Sequence, residues 1–362
     1  MPLLFDSHLD LAWNAITFKR DLLLSLSELN AMDALHTDAP FRGRATISLP
    51  EMQRAQIAVC LGTLMGRVPY GSSGQAHSGS LDFPRHENTY AFAHGHLAYY
   101  RILAARGHCR LLATQADLRA HWDSCEQAVA EGQAPRLGVI VAMEGADAIC
   151  EPEQAEAWFQ AGLRCTSLVH YGSSKYASGT GDEGPLTAEG KRMLSEFSRL
   201  GMILDTTHLC DESFFQALDN FDGPVLASHQ NCRALVPGQR QFSDDHIRRL
   251  TERGGIQGLA FDAWMLYPDW ERGRTQRDVV NLAAAVDHVD HICQLSGSDA
   301  HVAIGSDLDG GFGTEQTPTG LDSIADLQQL APLLSARGYS DDSIARIFGG
   351  NWLSFFLKHL PV

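Results

Sequence analysis

Residues 137–145 read "LGVIVAMEG": apolar or glycine at every position up to Met143, then Glu144 and a glycine. A strand with one face in water alternates apolar and polar residues, whereas a strand covered on both faces is apolar throughout. Val139, Ile140 and Val141 are β-branched, which favours extended backbone. The run therefore predicts a buried parallel strand with a carboxylate at its C-terminal end.

Seven more runs of this kind lie on either side, at 3–11, 57–64, 165–170, 201–208, 224–230, 254–261 and 301–310. Helical patterns separate them. In "TAEGKRMLSEFSRLG" (187–201), Thr187 is a cap candidate, Met193, Leu194, Phe197 and Leu200 form one stripe, and Gly201 stops the helix. The segments 211–221 and 243–255 repeat the arrangement, with Asp211 and Ser243 opening them. Eight strands alternating with helices predict an α/β protein, a (β/α)8 TIM-like barrel, occupying 1–362 as one domain. A doubly wound open sheet is the alternative, but no glycine-rich dinucleotide turn follows any strand. Long loops are expected at 12–56 and 65–87.

The formal charge of −16 over 362 residues disfavours nucleic acid and anionic membrane surfaces as partners, and it suits a site for divalent cations. The eight cysteines include no Cys-x-x-Cys pair, so they read as reduced thiols rather than a zinc ribbon. The first strand starts too early to leave room for a signal peptide, and no apolar run reaches membrane-spanning length. The expectation is a soluble, cytoplasmic protein.

Polar residues close these apolar runs with unusual regularity: His8 and Asp10, Glu144, His170, His208, His229 and Asp307. In a parallel barrel all strand ends share one rim, so residues 300 apart in sequence converge. Isolated polar groups in an apolar wall are costly unless paired or metal-bound. Imidazole and carboxylate donors without thiolate suit zinc, manganese, iron or nickel. The donors outnumber the needs of one ion. Two ions ~3.5–4 Å apart would use the surplus, with Glu144, placed between the flanking groups, as their bridge.

The motifs "DSHLDL", "VAMEG", "SLVHY", "LTAEGKRMLSEFSRLGMILDTTHL", "PVLASHQNCRAL", "IGSDLDGG" and "GGN" resemble the membrane (renal) dipeptidases, a metallopeptidase branch of the amidohydrolase superfamily. The resemblance runs almost the full length. It implies that His8 and Asp10 bind one zinc, His208 and His229 another, and that Glu144 bridges them. It further implies that Asp307 manages protons for a metal-bridging hydroxide and the leaving amine. His170 would polarise the scissile carbonyl, and Arg240 would pair with the substrate's terminal carboxylate. The implied reaction is hydrolysis of small dipeptides, L,L and L,D, by a homodimeric enzyme. Alternatives are a related amidohydrolase acting on N-acyl amino acids or other amides, and a catalytically silent binding barrel.

Other polar residues read as structural. Asp309 competes with Asp307 and is expected to cap a loop. His77, His86, His94 and His96 are expected on loop and helix surfaces, and Lys175 lies too far past its strand to bridge metals. The stretch after His170 and the 65–87 loop depart from the family pattern, so side-chain preference does not carry over.

Overall fold

The computed structural model describes residues 1–69 and 81–362, so His77 and the middle of the expected 65–87 loop lie outside it. All eight expected strands are present: β1 (Leu4–Leu9), β2 (Ile57–Met65), β4 (Leu137–Glu144), β5 (Leu163–Ser167), β6 (Ile203–Asp205), β7 (Val225–Leu226), β8 (Gln257–Leu259) and β9 (Val302–Ile304). One strand was not anticipated, β3 (Cys109–Leu111), which pairs with the start of β4 below the point where β5 joins it. Every residue of β1, β2 and β4 is buried, as continuous apolar runs require.

The parallel ladder runs β1-β2-β4-β5-β6-β7, and β8 pairs with β9. Backbone bonds join the two groups: Ala227 N donates to Ile256 O at 2.9 Å and Gly258 N to Ala227 O at 2.8 Å. On the other side a side chain closes the circle. Asp6 in β1 accepts from Ser306 N, just past β9, at 2.8 Å. The result is the (β/α)8 barrel. Its centre is tight around Ser228, whose carbonyl is 2.5 Å from Ser7 Oγ. A Cβ at Gly258 or Gly305 would come within 2.1 or 1.8 Å of that carbonyl, so only glycine fits at either position.

The helix Ala188–Leu200 starts as expected, with Thr187 accepting from Gly190 N, and ends on Gly201 at φ +69°. Ser243 likewise caps Asp244–Glu252, whereas Asp211 lies inside the first turn of Asp211–Asp219, capped by Cys210. The excursion at 12–56 is folded, with helices Leu11–Thr17, Leu26–Asp33 and Leu49–Arg54. Asp309 ties it to the rim by accepting from Thr46 N, Thr46 Oγ1 and Ile47 N. Arg20, 3.4 Å from Asp309, links it to Asp33.

The surface assignment of His96 is overturned: it is fully buried, and its Nδ1 accepts from Met65 N at 3.3 Å. It lies on the buried stripe Ala93, His96, Leu97, Tyr100 of helix His86–Ala105. His94, half-buried, stacks on Trp158, and the His86 ring meets Asp147 O. Lys175 donates to Cys150 O and pairs with Glu151, away from the rim carboxylates. No helix of the described residues is long and apolar enough to cross a membrane.

Candidate metal centre

The strands deliver their polar residues at a fixed offset. His170, His208, His229 and Asp307 each sit three residues past the last residue of β5, β6, β7 and β9, while Glu144 is the last residue of β4. His208 and Asp307 hold left-handed backbone, at φ +71° and +56°. Such a conformation is costly for residues other than glycine and gathers at functional sites.

Glu144 Oε1 is the focus. Four imidazole Nε2 atoms surround it: His208 at 3.1 Å, His229 at 3.3 Å, His170 at 3.6 Å and His8 at 3.7 Å. His8 Nε2 is also 3.6 Å from Asp10 Oδ1 and 3.8 Å from Asp307 Oδ1. Three overlapping donor groups follow, each with all its ligand atoms within 4.8 Å: His8–Glu144–His229, Glu144–His170–His208 and His8–Asp10–Asp307. Glu144 thus belongs to two groups and His8 to two. His170 stands among the ligand atoms rather than apart from them. All the expected rim residues come together.

Burial sets the charge states. It lowers the His8 pKa to about 3, helped by the nearby Arg240 charge, and holds His170, His208 and His229 well below the ordinary imidazole range. It raises Asp10 to about 6 and lifts Glu144 and Asp307 well above ordinary carboxylates, their mutual repulsion adding to the effect. Neutral imidazoles around a crowded set of carboxylates offer lone pairs, with Arg240 the positive charge that the four imidazoles, Glu144 and Asp307 all feel.

The hydrogen bonds behind the ligand atoms fix one tautomer. Ser228 Oγ donates to Asp205 Oδ2, so at 2.9 Å from His229 Nδ1 it accepts that ring's proton. The bare Nε2 of His229 then faces Glu144 and lies 3.2 Å from His208 Nε2. Thr180 Oγ1 holds His208 Nδ1 at 2.9 Å, and Thr63 Oγ1 donates to Asp10. His8 Nε2, fully buried, has no hydrogen-bond partner among the described residues. An orphaned imidazole nitrogen beside converging lone pairs is the arrangement a divalent cation satisfies, with the outer hydroxyls orienting the rings.

Arg240 reaches the same chamber from the loop after β7. It is 5% exposed, donates to Gln230 Oε1 and His229 O, and leaves its Nε without a partner. The chamber opens into a cavity of about 1030 Å³, walled by Trp13, Phe18, Phe41, Tyr171, Trp264 and Trp270 among others.

The model of the membrane dipeptidase family, peptidase family M19, matches residues 2–358. The chain belongs to that family. An uncharacterised protein of the pqqA 5′ region of Klebsiella pneumoniae is 30% identical over 226 residues, covering 60% of this chain and 80% of that protein. Dipeptidase tcpJ of Claviceps purpurea is 31% identical over 194 residues, covering 52% of this chain and 43% of its own length. The matched stretch is thus about half of that fungal relative. Among solved structures, a metallo peptidase from Rhodobacter sphaeroides, liganded with a phosphinate mimic of the dipeptide L-Ala-D-Ala, superposes with a TM-score of 0.76 at 25% identity. That alignment covers 99% of both chains. The barrel is therefore of the amidohydrolase type, as in other M19 dipeptidases.

Sequence reasoning missed the supporting residues of this M19 member. Asp205 and Asp6 are buried carboxylates inside apolar runs, three and two residues before His208 and His8, and that oddity was the available signal. Thr180 and Ser228 gave none, because hydroxyls are ordinary in such positions.

Proposed function

We propose that this chain is a metal-dependent dipeptidase that hydrolyses small dipeptides with a free carboxylate, L,L and L,D alike, using two zinc ions held by His8, Asp10, Glu144, His208 and His229. The observation that carries this is Glu144 Oε1 shared among four imidazole nitrogens. Ions bound there would polarise the scissile carbonyl and lower the pKa of an attacking water. Glu144 holds both ligand groups in register, and the Asp205–Ser228–His229 chain keeps one ring's nitrogen turned inward. Arg240 takes the substrate's carboxylate, for which its partnerless Nε and its planar fork are suited. His170, whose Nε2 lies 3.6 Å from Glu144 Oε1, donates toward the carbonyl oxygen as it gains charge. Asp307 accepts the water's proton and returns it to the nitrogen as the C–N bond breaks, releasing acid and amine.

The same reading treats 1–362 as one domain, working as a cytoplasmic homodimer without nucleic-acid or membrane partners. The formal charge of −16 and the eight free cysteines support the compartment and the exclusions. L,D specificity is supported by the ligand of the Rhodobacter relative. A panel of L,L- and L,D-dipeptides, alongside N-acetyl amino acids, is the test. Cleavage of free dipeptides that stops on chelation and returns with zinc is expected. Cleavage of N-acyl amino acids alone would move the assignment to another amidohydrolase, and no hydrolysis of any amide would mark a silent barrel.

A further inference from the structure

β8 supplies no metal ligand, and yet it obeys the same rule. Three residues past the end of β8 stands Asp262, at the offset that places His170, His208, His229 and Asp307 on the rim. Asp262 lines the cavity and is 5% exposed. Its two oxygens accept from Gln316 Nε2 at 2.8 and 2.9 Å, and Gln316 Oε1 in turn accepts from Arg272 Nε at 2.9 Å. Arg272 also donates to Gly311 O and makes no direct ion pair with Asp262 among the described residues. The carboxylate is thus held by Gln316 and by Trp264 N at 3.4 Å, feels the Arg272 charge from beyond Gln316 without pairing with it directly, and keeps remaining lone pairs toward the cavity.

We propose that Asp262 anchors a subsite for a basic side chain of the substrate, so that the preferred dipeptides carry a lysine- or arginine-like residue. This rests on the dipeptidase reading for the substrate, although the subsite itself does not need catalysis to be seen. Three features fit a long cationic side chain. The cavity, about 1030 Å³, is larger than two small residues fill. Trp264 and Trp270 line it from the segment that carries Asp262, and aromatic side chains suit both the methylenes and the charge of a long cationic chain. Burial raises the Asp262 pKa to about 7, a cost that a bound cation would offset. The free amino terminus of a dipeptide has the same ammonium chemistry, and the experiment separates the two sources.

The experiment compares kcat and KM for Ala-Lys, Lys-Ala, Ala-norleucine and norleucine-Ala, in the wild type and in Asp262→Asn and Asp262→Glu. Wild-type kcat/KM is expected to favour a lysine peptide over its norleucine counterpart by about tenfold or more, chiefly through KM. Asp262→Asn should bring that ratio to within about threefold of unity, and Asp262→Glu should restore part of it. No lysine preference in the wild type would overturn the proposal. So would an equal loss on lysine and norleucine peptides in Asp262→Asn, which would assign the carboxylate to the amino terminus or to the wall. If no dipeptide is cleaved, the dipeptidase reading has failed by itself, and calorimetric binding of L-lysine against L-norleucine decides the subsite. Tighter lysine binding that is lost in Asp262→Asn supports it, and equal binding overturns it.

Discussion

Two sets of histidines are buried equally deeply in this barrel and have opposite surroundings. His8, His208 and His229 turn their Nε2 atoms toward one glutamate oxygen. His96, His121 and His288 converge on no carboxylate, and each engages a backbone group, Met65 N, Ala58 O and Cys232 N, with His121 also 3.5 Å from Cys125 Sγ. Burial lowers the pKa in both sets. Burial alone therefore does not mark a ligand. Convergence of lone pairs on a shared carboxylate does, and solitary histidines with a backbone partner are core residues.

The sharpest way to break this contrast is to mutate one member of each set. His229→Ala should lower kcat/KM by about a thousandfold or more while the chain stays folded. His288→Leu should leave kcat/KM unchanged and lower Tm by several degrees, since Cys232 N loses its acceptor at a cost of about 1–3 kcal/mol. Equal activity losses in the two variants would erase the distinction.

Next in size are the groups that serve the ligand set from behind. Asp205→Asn should weaken zinc binding by about ten- to a hundredfold in a chelator competition, by freeing the Ser228 proton that fixes the His229 tautomer. Unchanged affinity would make Asp205 a purely structural residue. Arg240→Lys should raise KM for dipeptides by about tenfold with a smaller change in kcat, as the planar fork is lost. A fall in kcat alone would remove Arg240 from substrate binding.

The smallest effect belongs to the solitary set. The His288 pKa is lowered to about 4, whereas in the unfolded chain it titrates near its ordinary 6.5. The unfolded state therefore takes up a proton first as the pH falls, and stability present above about 6.5 declines toward 4. For His288 this amounts to about 1 kcal/mol between about pH 7 and pH 5.5. Urea unfolding of the wild type and His288→Leu at the two pH values checks it: the variant should lose less on acidification.

Much of the barrel and of the ligand set was legible for one reason. Buried parallel strands are continuous apolar runs, and a polar residue ending such a run stands out. That logic found His8, Glu144, His170, His208, His229 and Asp307 but stopped short of Asp262, because "GLAFDAW" continues apolar after the aspartate and hides the end of β8. The three-residue β3 was invisible, since Cys109-Arg110-Leu111 has no run to read. His96 was misplaced because a histidine on a helix reads as polar, while the spacing from Ala93 to Tyr100 put it on the buried stripe. Asp307 was preferred because it directly follows the apolar run, whereas Asp309 is distinguished by partners 263 and 262 residues away, which no local pattern encodes.

The central claim is that Glu144 joins two metal sites, and zinc content per chain in wild type and Glu144→Gln tests it most directly. The account predicts about two equivalents in the wild type, and at most one in the variant together with loss of dipeptide hydrolysis. Two tightly held equivalents and full activity in Glu144→Gln would contradict it.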